Sequence, residues 1–186
     1  MSESPDRSVS VAPALLLSMP QLDDPNFKHS VVLLCQHSDQ GSWGLVLNKP
    51  ANRAATVVSE DGTPVGTGIE VWRGGPVELE SGCILLGDMP DEGGALRICE
   101  GLFLSGSEAL LQRLLGAPPG GRVRLLMGYA GWGPGQLEHE LRQSAWLISD
   151  VDLEIVFDTE ASAMWETAIR RLGADPATLQ MSPGVH

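Results

Sequence analysis

The segment from 128 to 135, GYAGWGPG, carries four glycines and a proline between the apolar run RVRLLM and the helical pattern QLEHELRQSAWL. A glycine-rich corner between a strand and a helix is a place where backbone N–H groups cradle phosphate. The chemistry around this corner argues against that use. A phosphate loop needs a lysine and then Ser or Thr after its last glycine, and here Gln136 and Leu137 follow Gly135. A dinucleotide turn needs G-x-G-x-x-G, but Gly131, Gly133 and Gly135 bring the third glycine one position early. Pro134 removes an N–H donor, and Glu138 and Glu140 would repel an anion at the helix start. The segment reads as a loop that turns a corner.

Cys35 and His37 stand two apart in the run VVLLCQH, which puts them on one face of a strand. Such a pair suits two zinc ligands, or a thiol and its base. No third ligand or orienting carboxylate is identifiable, so packing of a buried thiol beside a strand-end histidine stands as the plainer reading. Asp150 and Asp152 resemble a metal-binding pair, yet strand alternation accounts for them; DMPDE at 88–92 reads as a solvated loop. Lys49 lies just past a strand end, where sites in open sheets often sit, and RGGP at 73–76 is first a turn signal. Five tryptophans, Trp43, Trp72, Trp132, Trp146 and Trp165, accompany a single tyrosine, Tyr129. Trp132 and Tyr129 fall in the glycine loop, either as the rim of an apolar groove or as anchors folded back on the sheet.

The elements that must position these groups belong to a chain of 186 residues, enough for one domain with its own core. Twenty-four acidic against twelve basic residues give a net charge of −12, with only Lys28 and Lys49 as lysines. That field, without a basic stripe, excludes general nucleic-acid binding. Three cysteines without C-x-x-C spacing suit a reducing compartment. The N-terminus lacks a signal-peptide pattern and no run approaches the ~20 apolar residues of a membrane span, so a cytoplasmic location is expected.

Residues 1–12 read as a polar tail and 13–186 as a single domain. Strands are predicted at 14–19, 31–37, 43–48, 69–73, 83–87 and 122–127, with one or two more within 95–104. The 31–37 strand is apolar on both faces and should be central. The pattern at 150–157 alternates Val151, Leu153, Ile155 and Phe157 with Asp150, Asp152 and Glu154, and predicts a half-solvated strand. Helices are predicted at 106–116, capped by Ser107, from 136 onward, and from Ala161 to Leu172. Residues 50–68 are weakly patterned and read as a surface excursion. Strands and helices in this order predict an α/β sandwich, with a mixed, mainly antiparallel sheet assembly and flanking helices.

Several ordered motifs resemble the YqgE/AlgH family of bacterial proteins. They are LLLSMPQLDDPNFKHSVVLLCQHSDQGSWGLVLNKP, GGPVELESGCILL, GYAGWGPGQLEHELRQSAWL and the closing RLGADP. The chain departs from the family pattern at Leu86-Gly87 and at Gly133-Pro134. The resemblance implies a compact α/β sandwich and no established activity, with one branch of the family associated with transcriptional regulation. Binding residues carried over from the motifs are Pro20, Asp24, Pro25 and Ser30; Asn48, Lys49 and Pro50; Gly74, Gly75 and Pro76; and Gly128, Tyr129, Trp132, Gly135, Gln136 and Glu138. The expected protein is a monomeric, non-enzymatic binding or regulatory protein, with a shallow apolar site near Trp132. It would take a protein partner or a small apolar ligand and no cofactor, metal, membrane or nucleic acid. A Cys35/His37-dependent enzyme, with or without metal, and a thiol redox sensor remain the alternatives.

Overall fold

Uninterrupted runs of Leu and Val can be buried on both faces only in the middle of a layered structure, and the fold is built around two such runs. In the computed structural model, which describes residues 11–58, 60–91, 93–116 and 121–181, β1 (Ala14–Ser18) is buried throughout. It lies between β2 (Val31–Ser38) and β10 (Trp146–Ser149), antiparallel to both. β3 (Gly41–Val46) follows β2 through a two-residue turn. The strands run in the order β10-β1-β2-β3-β9-β6-β8-β7, with β5 joined to β9 and β4 to β5. Here β4 is Pro50–Val58, β5 Pro64–Arg73, β6 Val77–Leu86, β7 Leu96–Cys99, β8 Leu102–Ser105 and β9 Val123–Trp132. Only the β5–β9 pairing is parallel. The mixed, mainly antiparallel sheet with flanking helices is the architecture expected from the sequence.

Alternate side chains of β1 and β2 feed two cores. Leu15, Leu17, Val31 and Leu33 pack with α3 (Ala161–Arg171), whose Met164, Trp165, Ala168 and Ile169 form its buried stripe. Leu16, Val32 and Leu34 pack with Leu137 of α2 (Gln136–Arg142), Trp132 and Trp146. A third cluster sits under α1 (Glu108–Gly116), against Ile69, Val71 and Leu125. The predicted cap of α1 is present, with Ser107 Oγ accepting from Leu110 N–H at 3.2 Å.

The structure corrects several expectations. Residues 50–56 and 60–68 are mostly exposed, as expected of a surface excursion, but the weak pattern hides regular structure, since 50–58 and 60–68 form most of the β4–β5 hairpin. The predicted strand at 150–157 is instead a π-helical turn over Glu154–Asp158, with adjacent Ile155 and Val156 both buried. Asp152 imposes it, because Oδ1 accepts from the N–H groups of Glu154 and Ile155 and so caps a turn. The helix at 136 ends at Arg142, and Ser144 takes a left-handed φ of 55° before β10 begins. Residues 128–132 are not loop. Strand β9 continues through Gly128, at φ 75°, pairing with β5 and residues 82–86 of β6 before that glycine, and with Val77 of β6 and with β3 beyond it. Residues 1–10 of the expected tail lie outside the described residues, while Val11 and Ala12 already pack against the Leu16 cluster.

Candidate functional site

The N-terminal motif is a single helical turn held from both ends. Asp24 Oδ1 accepts from Asn26 N–H at 2.8 Å, and its carbonyl accepts from Phe27 and Lys28. Pro25 follows Asp24 and opens the turn, with Pro20 half-buried ahead of it. Ser30 closes it, its hydroxyl donating to Phe27 O at 2.7 Å while its N–H donates to Ser18 Oγ at 2.8 Å. Asn48, at the far end of the β3 segment, clamps the same turn. Its Oδ1 accepts from Val31 N–H at 3.0 Å and its Nδ2 donates to His29 O at 2.8 Å. Lys49 Nζ donates to Lys28 O at 2.7 Å, and Pro50 opens β4 opposite Trp72. The NKP segment is therefore the partner of the DP-x-F turn, which explains why both motifs occur together.

Gly74 and Gly75 meet Gly128 where β3, β5, β6 and β9 converge. Gly74 N–H donates to Met127 O at 2.8 Å, and its carbonyl accepts from Val46 at 2.7 Å. A Cβ on Gly74 would overlap the carbonyl oxygen of Gly128, and one on Gly75 the backbone of Tyr129. These glycines permit close strand approach; exposed Pro76 follows before β6.

The expectation of an exposed Trp132 is overturned. Its side chain is only 6% exposed and packs with Phe27 and Trp146. Both indole N–H groups end on Glu140 Oε2, at 2.9 and 2.8 Å. Gln136 accepts from Gly133 N–H at 3.0 Å and donates to Glu140 Oε1 at 3.0 Å, after Gly135 at φ 74°. The anchors-folded-back reading holds for Trp132, whereas Tyr129 is half-buried on the other side of the sheet against the Leu33 cluster.

Cys35 and His37 are not joined. A β-bulge between Leu34 and Gln36 breaks the alternation that would align them. Cys35 packs against the Leu33 cluster, near enough to Cys83 for their charges to interact. His37 Nδ1 instead bonds Ser42 Oγ at 2.7 Å, and its Nε2 lies 3.4 Å from Glu138 Oε1. That hydroxyl–imidazole–carboxylate chain ties the hairpin to α2, with Ser42 buried. Burial, reinforced by Cys83, raises the Cys35 thiol beyond the ordinary range, and burial pushes Cys83 up to about 12.

Six of the sixteen carried-over residues line two concavities, three in each, and the other ten line neither. Gly128, Tyr129 and Trp132 line a groove of about 990 Å³ between the β2–β3 hairpin, β6 and β9. Asn48, Lys49 and Pro50 line a separate cavity beside α3. The groove also takes Trp43, Leu45, Val77, Leu96 and Leu104, which sequence reasoning missed, and among the described residues no charged side chain lines it. Val77 (36%) and Leu96 (54%) are exposed on it, and Leu79 (59%) stands beside Gly128. The signal available in the sequence was the apolar residues at 77 and 79 alternating with Glu78 and Glu80, an unusual pattern for a solvated strand. Among the described residues no helix is long and apolar enough to cross a membrane.

Comparison with known proteins agrees with these motifs. A family model described as AlgH-like matches residues 15–177. A UPF0301 protein of Myxococcus xanthus is 41% identical over 182 residues, covering 95% of this chain and 99% of its own. One from Ruegeria pomeroyi is 35% identical, covering 91% and 96%. The solution structure of the AlgH protein from Pseudomonas aeruginosa is similar with a TM-score of 0.76 at 30% identity, covering all of both chains. A Corynebacterium diphtheriae crystal structure shares the fold, with a TM-score of 0.67 at 21% identity, covering 91% and 90%.

Proposed function

This chain belongs to the AlgH-like family, and from that premise we propose that it is a non-enzymatic cytoplasmic binding protein. It exerts a regulatory effect by seating an apolar segment of a protein partner in the groove beside Tyr129. One observation carries this reading. In a chain of net charge −12, no charged side chain among the described residues lines the groove. Its floor rests on the Leu33 core, so the surface is pre-formed, as binding sites usually are. Tyr129 and Trp43 supply half-buried aromatic surface, the kind that anchors interfaces. Covering Val77, Leu79 and Leu96 gains roughly 25 cal/mol per Å² of apolar area removed from water.

The rival readings require a thiolate or a Cys–His pair. Burial disfavours the thiolate at Cys35 and Cys83, and the bulge parts Cys35 from His37. Regulation through direct DNA contact is opposed by the net charge, so a protein intermediary fits better.

The test is a titration of the full chain with the uncharged apolar dye Nile red. Saturable one-site binding is expected, weakened at least about tenfold by Val77→Glu and Leu96→Glu with the thermal midpoint unchanged, because each buries a charge under the ligand. Identical dye binding by all three proteins would defeat the proposal.

A further inference from the structure

The second cavity, about 910 Å³, lies between the start of α3, the Asn48–Pro50 corner and the β5–β9 pair, and shares no lining residue with the groove. Arg124 is in its wall. This arginine is 7% exposed, lies with its guanidinium carbon 4.2 Å from the centre of the Trp72 ring, and makes one hydrogen bond, from Nη1 to Leu47 O at 3.1 Å. Among the described residues no carboxylate comes within ion-pair distance of it, and Glu70 and Asp158 act on its charge only from further off. A guanidinium offers five N–H groups in a fixed fork. Arg124 lines the cavity, and no side-chain nitrogen or oxygen of the described residues is both sealed from solvent and unpartnered, so its remaining donors are not shut away from solvent.

Two further features point the same way. Lys49 borders the cavity with its ammonium on a backbone carbonyl and not on a carboxylate. Helix α3 starts there too, with Glu160, Ala161 and Ser162 in the lining, and its N-cap residue makes no side-chain capping bond. An uncapped first turn presents N–H groups and the positive end of the helix dipole. The walls are flat and aromatic, with the His29 ring 4.7 Å from that of Trp165. The rim holds Glu70, Asp158, Glu160 and Glu166, of which Asp158 pairs with Arg122 and Glu166 with Arg170. Repulsion from these carboxylates grows with each negative charge a ligand carries.

We propose that this cavity binds a small monoanionic carboxylate with a flat aromatic body. The carboxylate sits in the fork of Arg124 beside Lys49, and the ring lies against His29 and Trp165. Dianionic phosphates are rejected by the acidic rim, and neutral analogues leave the guanidinium without its partner. The binding is independent of the Tyr129 groove.

The experiment is calorimetric titration of the full chain at pH 7 with benzoate, indole-3-carboxylate, benzamide and phenyl phosphate. Saturable binding of the two carboxylates is expected, at least about tenfold tighter than the amide, which loses the charge-assisted bidentate pair, or the phosphate, whose second charge meets the acidic rim. Arg124→Lys should weaken carboxylate binding about tenfold, because an ammonium cannot reproduce the fork. Lys49→Gln, at the corner and outside the core, should weaken it about threefold with an unchanged thermal midpoint, and Leu96→Glu should not alter it. Equal affinity for benzoate and benzamide, preference for phenyl phosphate, indifference to both cation substitutions, or no binding of any probe at millimolar concentration would each overturn the proposal.

Discussion

Trp132 and Trp146 donate their indole N–H groups to the same oxygen of Glu140, with ring centres 5.9 Å apart and planes at 78°. Phe27 completes the cluster, at 6.3 Å from the first ring and 5.6 Å from the second. The glycine-rich segment thereby locks the N-terminal turn, the end of β9 and the start of β10 together. Trp132→Ala should therefore destabilise the protein by about 3–5 kcal/mol in chemical denaturation, the range for emptying a buried aromatic site. Glu140→Ala should cost about 2–4 kcal/mol by leaving two buried donors unpaired. A Trp132→Ala loss below about 1 kcal/mol would show that the ring is not core.

The glycine junction makes an opposite pair of expectations. Gly74→Ala forces a Cβ into the Gly128 carbonyl and should abolish soluble expression or lower the thermal midpoint by tens of degrees. Gly66→Ala, where a Cβ meets open space, should leave it within a few degrees. Similar midpoints for the two variants would remove the close-approach explanation.

Much of this was legible in the sequence. The runs at 14–18 and 31–34 are too apolar to face water and are buried throughout, and the Ala161–Leu172 stripe fits a helix and nothing else. Other parts hid for identifiable reasons. Asp152 reads as the polar half of a strand, but its carboxylate closes a helical turn and binds Arg171. Ser144 ends α2 at a positive φ without the glycine that normally announces such a stop. The bulge at Cys35 depends on how β2 meets β3 across their hairpin, an offset between strands that the spacing of residues along one strand does not show. For the candidate site, the motifs singled out the DP-x-F turn and NKP, which the structure joins through Asn48 and Lys49. They gave no hint that Asn48 and Trp132 line different cavities.

Asp152 also sets a pH dependence. Burial raises its carboxyl, but the hydrogen bond from Arg171 and those from the backbone of Ile155 and Glu154 outweigh this and hold it below the ordinary value. A depressed folded value means the native state binds the proton less tightly than the unfolded chain. The associated stability is thus present above the ordinary carboxylate range and lost as pH falls through the lowered value. Asp152→Asn should cost about 1 kcal/mol at pH 7 and flatten the acid limb of the stability curve. Superimposable acid limbs would contradict the assignment.

Thiol chemistry offers another check. Cys35 and Cys83 are held protonated by burial, while Cys99 is raised by a less buried setting in which Arg97 partly compensates. Iodoacetamide should modify Cys99 first, and the other two only at the rate of global or local opening. The raised values stabilise the fold fully below the ordinary thiol range and cease to do so as pH climbs toward about 12 at Cys83. Labelling of Cys35 at the rate of a free thiol would reopen the sensor reading.

Strand β1 owes one edge to β10, and Ser18 receives the Trp165 indole N–H at 2.8 Å across 147 residues of chain. During synthesis at ~5–20 residues per second, the first strand therefore waits on the order of ten seconds for its outer neighbour and its covering helix. Leu15 and Leu17 spend that interval on an unpaired edge, the geometry that invites wrong strand pairing. Yield in the cell is then governed by the speed of the ribosome and the protection given to the nascent chain, and a slower message lengthens the hazard without changing a single native contact.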